Sequence, residues 1–206
     1  MIPTRLVRTV PRTTSAEVEA FWSTACDLHP EWTHDTLRDP LDADAFPLTF
    51  RAWHRCRSGA QLAGLVRLET LWHHGGIYID SDVELYRSLD PFTGLRGFSC
   101  WEDQKTAPDF VLGAEPEHPA IRECIDMALW RITSDSSDWR DGNGAWSTGP
   151  GVTTSVLPGR DDWLMLPPGT FAPYHYTEPH LRHHDHRTEQ PWSYGAHHWW
   201  HSWEGN

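Results

Sequence analysis

Residues 62–85, LAGLVRLETLWHHGGIYIDSDVEL, constrain the fold more than any other stretch. Leu62, Leu65, Val66, Leu68 and Trp72 recur at helical spacing and predict an amphipathic helix. Gly75-Gly76 stands where a helix stops in a left-handed conformation, which glycine adopts without a side-chain clash. Ile77-Tyr78-Ile79 is short, apolar and β-prone, and reads as a buried strand. Asp80-Ser81-Asp82 closes it. Strand periodicity turns residues i and i+2 to one side, so both carboxylates are expected to aim at one point. Two acids at the carboxyl end of a buried strand suit a hard divalent cation with a phosphate behind it. An isolated Asp-x-Asp is more often a solvated turn or a helix cap; here the helix, the Gly-Gly pair and the strand in front of it favour the site.

The chain has 206 residues, enough for one domain with a full core. Twenty-nine acids against 17 bases give a net charge of −12, which disfavours nucleic acid and anionic membrane surfaces as partners. No apolar run approaches the length of a membrane span, and the first residues lack an apolar signal core. The expectation is therefore a cytoplasmic protein of bacterial type, at most peripheral to the inner face of the membrane. Cys26, Cys56, Cys100 and Cys124 are dispersed and read as reduced thiols. Thirteen tryptophans are many for this length; besides core positions they are candidates for platforms that stack on sugar rings or a nucleobase.

Residues 2–10 read as a first strand, whose end, at Val10, would meet the base of a nucleotide. A helix capped near Ser15 carries Val18, Phe21, Trp22 and Ala25 and stops before Pro30. Residues 31–47 read as loops with a short strand, and Leu48–Arg57 as a short helix. Val83–Tyr86 is extended, Gly97–Trp101 is a strand followed by Glu102-Asp103, and Phe110–Ala114 is another strand. Pro119 opens a helix along Ile121, Cys124, Ile125 and Ala128. Residues 134–145 read as a surface loop. Thr148-Gly149-Pro150-Gly151 reads as a tight loop into a helix whose N-terminus suits an anion or sugar hydroxyls, or is a plain helix start. Trp163–Leu166 is a strand, and from Pro167 the chain reads as loop. More than half of the 14 histidines lie from His175 onward; His183-His184 and His186 lack cysteine partners or a helical pair and make a weak zinc site.

Arg67, Leu71, Gly75, Gly76, Tyr78, Asp80 and Asp82 fall in step with S-D-x-x-R-x-x-x-L-x-x-x-G-G-x-Y-x-D-x-D. Ile2-Pro3 with Arg8-Thr9-Val10-Pro11, Phe21-Trp22 to His29-Pro30, Arg38-Asp39, Val111-Leu112-Gly113-Ala114, Thr148-Gly149-Pro150 and Ala196-His197-His198-Trp199 to Ser202-Trp203 follow in order. Together these blocks resemble the glycosyltransferases named for a sugar-binding region containing a DXD motif, the family 32 retaining glycosyltransferases. The resemblance implies one α/β domain over residues 1–206 of GT-A type, a Rossmann-like nucleotide-sugar-binding fold with a mixed sheet, closed by a loop-rich segment 167–206. It departs from the pattern at Ala63-Gly64, where the family has Ser-Asp associated with the donor's sugar or ribose; at Val7, where it has His; and at Asp109, where Asn is common. On that basis Gly64→Asp is expected to alter donor preference.

The resemblance further implies transfer from a nucleoside-diphosphate-sugar, UDP- or GDP-linked, to an acceptor hydroxyl of unknown identity, with retention and with Mn2+ or Mg2+. Asp82 is the better direct metal ligand, and Asp80 shares the metal and the donor's sugar or ribose. His197, His198, His201 and Ser202 are candidates to complete the metal site, His197 and Ser202 foremost; a histidine favours manganese. Arg67 either contacts phosphate or sugar oxygens or forms a salt bridge to one of the aspartates. Val10, Gly76, Tyr78, Ser81 and Trp203 are the remaining donor-side candidates. Asp109, with Asp103 as the alternative, is a catalytic candidate near the anomeric carbon, beside Asp80 and Asp82. Two other readings stay open: a nucleotide-sugar-binding module without catalysis, motivated by Ala63-Gly64, and a phosphatase whose apolar strand ends in Asp-x-Asp, for which Val83-Glu84 stands where Gly-Thr is usual.

Overall fold

The computed structural model describes residues 1–134 and 144–200. A six-stranded mixed sheet forms its centre, in the order β2-β1-β3-β6-β5-β7. These strands are β1 (Arg5–Val10), β2 (Thr33–Arg38), β3 (Gly76–Ile79), β5 (Gly97–Cys100), β6 (Val111–Ala114) and β7 (Leu164–Leu166). β1 runs parallel to β2 and β3, β6 is antiparallel to β3 and β5, and β7 lies parallel beside β5. β3 and β5 thus run the same way, so residues after Ile79, residues after Cys100 and residues before Val111 all gather at one edge of the sheet.

Side chains alternate along these strands as a pleat requires. Leu6, Ile77 and Ile79 enter one apolar core with Phe98 and Phe110; Val7 and Tyr78 enter the other with Leu65, Leu68, Leu112 and Ile121. The second core is roofed by α2 (Gly59–His74) and α3 (Pro119–Thr133). α1 (Ala16–Asp27) starts where expected, with the Ser15 side chain accepting from Val18 N.

The sequence pattern describes α2 incompletely. It is not amphipathic along its second half: Gly64 to Leu71 is buried without a break, including Arg67, Glu69 and Thr70. Glu69 is tolerated because its carboxylate accepts from Leu48 N, Thr49 N and Thr49 Oγ1 at 2.6–2.9 Å. That anchor also explains why residues 48–57 form a 3-10 turn, Phe50–Arg55, rather than a regular helix. Gly75, at φ 62°, stops α2, and its amide donates to Leu71 O.

Two other expectations need correction. Residues 144–148 form a short helix, α4 (Gly144–Thr148), rather than loop; residues 135–143 lie outside the described residues. The tight turn at Gly149 separates α4 from α5 (Pro150–Val156). The segment after Pro167 contains a strand, β8 (Gly195–His197), which pairs antiparallel with β4 (Val83–Leu85) in a separate two-stranded sheet. A three-residue strand of small residues has no local signature; only its distant partner defines it.

Candidate metal and sugar-nucleotide site

Asp80 follows β3 directly, and its amide donates to Phe110 O. The chain then turns, with Val83 N donating to Asp80 O, and enters β4. The two aspartates therefore converge through a turn and not through the pleat of a strand. β4 pairs Val83 with His197, which brings the imidazole over the same turn. One ligand atom from each of Asp80, Asp82 and His197 lies within 4.8 Å of the other two.

Asp82 is held on all sides. Oδ1 stands 3.1 Å from His197 Nε2, Oδ2 accepts Trp200 N at 3.0 Å, and its carbonyl accepts His198 N. Burial acts to raise its pKa, but the His197 imidazole outweighs burial and holds the carboxyl at about 2. His197 answers in kind: burial lowers its pKa, and Asp82 more than reverses that, so it is raised.

Arg67 is the buried centre of the acidic edge. It projects from α2 with one guanidinium nitrogen 3.0 Å from Asp80 Oδ1 and another 2.8 Å from Asp109 Oδ2 and 2.7 Å from Asp109 O. Its plane lies over the Tyr78 ring at 4.4 Å. Burial disfavours its charge, and the two carboxylates more than compensate, so it stays a cation. Burial pushes Asp109 up, Arg67 pulls it down and Asp80 pushes it up again, which leaves it at about 6.

These positions revise several expected roles. Of the two alternatives for Arg67, the structure shows the salt bridge, to Asp80 and to Asp109 both. Tyr78 is fully buried; its hydroxyl links Thr9 Oγ1 at 2.7 Å to Asp80 Oδ1 at 2.8 Å, so it acts through Asp80 and not on a donor. Gly76 opens β3 at the opposite end from Asp80, with φ 109° and a Cβ position 2.8 Å from Arg5 O; it is a packing glycine. Val10 is buried at the carboxyl end of β1, the same end of the sheet as Asp80. Ser81 sits half-buried in the turn between the aspartates. Asp109 grips Arg67. Asp103 is an exposed turn former whose carboxylate accepts from Lys105 N and Thr106 N. His198 pairs with Glu84 at 3.2 Å and stacks on Phe21. His186 bonds Leu181 O and stacks on Tyr174, which leaves the weak zinc reading without a cluster among the described residues. His201, Ser202 and Trp203 lie outside the described residues.

Gly64 carries a further correction. A Cβ there would meet Thr148 O and Thr148 Oγ1, each at 2.7 Å. α4 has moved into the space of a side chain, so Gly64→Asp has no room and does not test donor preference.

Sequence reasoning passed over one pair at this edge. Glu102, after β5, is nearly buried with Oε1 3.0 Å from His175 Nε2. Only the end-of-strand position of Glu102 marked it; His175 comes from the distal loop and carries no local signal.

Two carboxylates and an imidazole are a donor set that suits Mn2+ or Mg2+. His197 turns Nε2 toward the carboxylates, 3.1 Å from Asp82 Oδ1, so Nε2 is the nitrogen that an ion there would take up. The residues present fit such an ion.

Residues 15–98 match the family model described as glycosyltransferase sugar-binding region containing DXD motif. Among curated proteins, the chain is 32% identical over 107 residues to a mannosyl phosphorylinositol ceramide synthase of Saccharomyces cerevisiae. It is 30% identical over 108 residues to inositol phosphoceramide mannosyltransferase 3 of Schizosaccharomyces pombe. Each match takes in 48% of this chain and only 27% and 29% of those relatives. Among solved structures, the glycosyltransferase domain of the YGT toxin superposes with a TM-score of 0.60 at 9% identity, over 80% of this chain and 79% of that one. GlyE of Streptococcus pneumoniae gives 0.58 at 12% identity, over 98% and 56%. The fold is of GT-A type. The expected cytoplasmic location is overturned: these curated relatives are yeast enzymes named for a ceramide lipid, not cytoplasmic proteins. Nor are they bacterial, so a bacterial origin has no support from them. No helix among the described residues is long and apolar enough to cross a membrane. Over residues 15–98 the chain is similar to the glycosyltransferases whose sugar-binding region contains the DXD motif.

Proposed function

We propose that residues 1–206 act as one catalytic domain that moves a hexosyl group from a nucleoside-diphosphate-sugar to an acceptor hydroxyl. The convergence of Asp80, Asp82 and His197 at the carboxyl edge of the sheet carries this reading. These three would hold Mn2+ or Mg2+, which supplies positive charge to the diphosphate leaving group. Tyr78 and Arg67 fix the Asp80 carboxylate, and Trp200 N and His197 fix that of Asp82, so neither has to reorganise when the donor arrives.

Retention is the stereochemistry that the resemblance implies. The acceptor oxygen forms its bond to the anomeric carbon on the face from which the diphosphate leaves, and the acceptor proton passes to the departing phosphate. The carboxylates Asp80, Asp82 and Asp109 are each held by Arg67 or His197, which supports a role in positioning over one as nucleophile. The relatives' names support a mannosyl donor, GDP-linked or UDP-linked, and a lipid-borne hydroxyl as acceptor.

A panel of GDP-mannose, UDP-glucose and UDP-galactose, each with Mn2+, with Mg2+ and with EDTA, tests the reading by thermal shift. A rise in melting temperature with one donor, abolished by EDTA, is expected. No rise with any of them removes the sugar-nucleotide reading. The alternative, a binding module without catalysis, is favoured by Thr148 filling the side-chain space beside Gly64; it is the answer if the donor binds and neither transfer nor donor hydrolysis follows.

A further inference from the structure

Outside the metal group, the acidic edge carries a second cluster that the proposed reaction has not used. From His197 an unbroken run of aromatic rings leads outward. His197 contacts Trp199 at 4.1 Å between centroids, Trp199 contacts Tyr176 at 5.8 Å, and Tyr176 contacts His175 at 4.1 Å. The run begins on Phe110, 4.4 Å from His197. Tyr176, within it, is 48% exposed. Beneath it lies Glu102, its side chain 9% exposed and bound to His175.

Trp199 is the unusual member. Its φ is 54°, a left-handed conformation that is costly for a bulky residue. The surroundings enforce it: its indole N–H donates to Tyr174 O at 3.2 Å, and its carbonyl accepts from Arg182 at 3.2 Å. Such strain persists where a side chain must face one particular way. Here it turns the indole between His197 and Tyr176.

A half-exposed aromatic platform beside a sheltered carboxylate is the chemistry that recognises a hydroxylated ring. The C–H face of the ring packs on the aromatic face, and the carboxylate accepts from its hydroxyls. The position in the sheet decides which ring. Asp80 follows β3, with β1, whose end is expected to meet the base, on one side, and β6 and β5, whose edge carries Glu102, on the other. A donor that spans from β1 across the metal group leaves the β5 side for the second substrate.

We propose that Trp199, Tyr176 and the Glu102–His175 pair form the acceptor subsite, which takes a pyranose or cyclitol ring and points its hydroxyl at the Asp80–Asp82–His197 group. This rests on the reading of that group as the transfer site. Glu102 and His175 are positioning residues for the acceptor ring and take no part in bond making.

The test titrates methyl α-D-mannopyranoside, methyl β-D-galactopyranoside and myo-inositol into the whole chain, with Mn2+ plus GDP or UDP and again without nucleotide. Saturation-transfer NMR and tryptophan fluorescence read the dissociation constants. At least one ring is expected to bind, with Tyr176→Ala and Glu102→Gln each weakening it by about fivefold to tenfold. Trp130→Ala, which removes an exposed tryptophan on α3, is the control and leaves the constant unchanged. Failure of all three rings to bind overturns the proposal, as does an unchanged constant in both Tyr176→Ala and Glu102→Gln. The thermal shift from GDP or UDP is recorded on the same samples. Ring binding without a nucleotide shift removes the donor reading and keeps the subsite; a nucleotide shift without ring binding does the reverse.

Discussion

His197 Nε2 meets Asp82 Oδ1 at 3.1 Å, with both side chains nearly buried and each shifting the other's titration toward the charged form. The charged form of His197 is thus favoured beside the aspartate, and a divalent ion would take over the task of neutralising that carboxylate. Asp82→Asn removes the charge while keeping the volume. It is expected to abolish metal-dependent turnover and to lower Mn2+ affinity at least tenfold, an order of magnitude in keeping with the loss of a coordinating group. Calorimetric titration with Mn2+ measures it; unchanged affinity and turnover sink the site assignment.

Arg67 bridges Asp80 and Asp109 with separate nitrogens, a geometry that lysine cannot reproduce. Arg67→Lys is expected to cost roughly 3 kcal/mol in urea unfolding, because it leaves one buried carboxylate unpaired. The double variant Arg67→Lys/Asp109→Asn is expected to recover part of that loss. Equal midpoints for the single and double variants would show that Asp109 is not the group left in deficit.

Gly64 is the contact point of α2 with α4. Gly64→Ala is expected to destabilise by about 1–3 kcal/mol through overpacking against Thr148. Thr148→Ala in the same chain removes the Oγ1 contact and leaves the carbonyl contact, so rescue is partial. The check is the urea midpoint of the three variants.

Glu19 gives a pH dependence of its own, through partners that are not in the metal group. A hydrogen bond from Thr14 and the Arg8 guanidinium overcome burial, and with Arg38 they hold its carboxyl at about 2, against 4.5 for a free one. A depressed acid stabilises the fold above its unfolded pKa and loses that contribution as pH falls through the folded one. The melting-temperature gap between wild type and Glu19→Gln is therefore expected to be full at pH 7 and above pH 4.5, and to close as pH approaches 2. A gap that does not narrow over that range contradicts the assignment.

The segment from Gln61 to Asp82 was legible because its constraints are local. Helix period, a glycine stop and a short β-prone run each act within a few residues, and together they put Asp80 at the edge of the sheet. The roles of Tyr78 and Gly76 were misread for a single reason. Spacing along a strand tells which residues share a face but not which end of the strand faces the ligand, nor that Thr9 waits opposite the Tyr78 hydroxyl. The burial of Glu69 has no local signal, because its three donors come from Leu48 and Thr49, about 20 residues earlier in the chain. His175 and β8 were hidden because their partners, Glu102 and β4, are far away in the chain.

The pairing of β8 with β4 rests on three residue pairs, Val83 with His197, Glu84 with Ala196 and Leu85 with Gly195, in a sheet of only two strands. The imidazole is thereby fastened by a clasp that shares no strand with the six-stranded sheet, so its opening would break none of that sheet's pairings. The amide proton of His198, which donates to Asp82 O, would then exchange with solvent well ahead of those of Ile77 and Leu112, and a bound ion would close the gap. Parting that clasp would free the third arm of the ligand set, and whatever that arm encloses, without separating any strand of the six-stranded sheet.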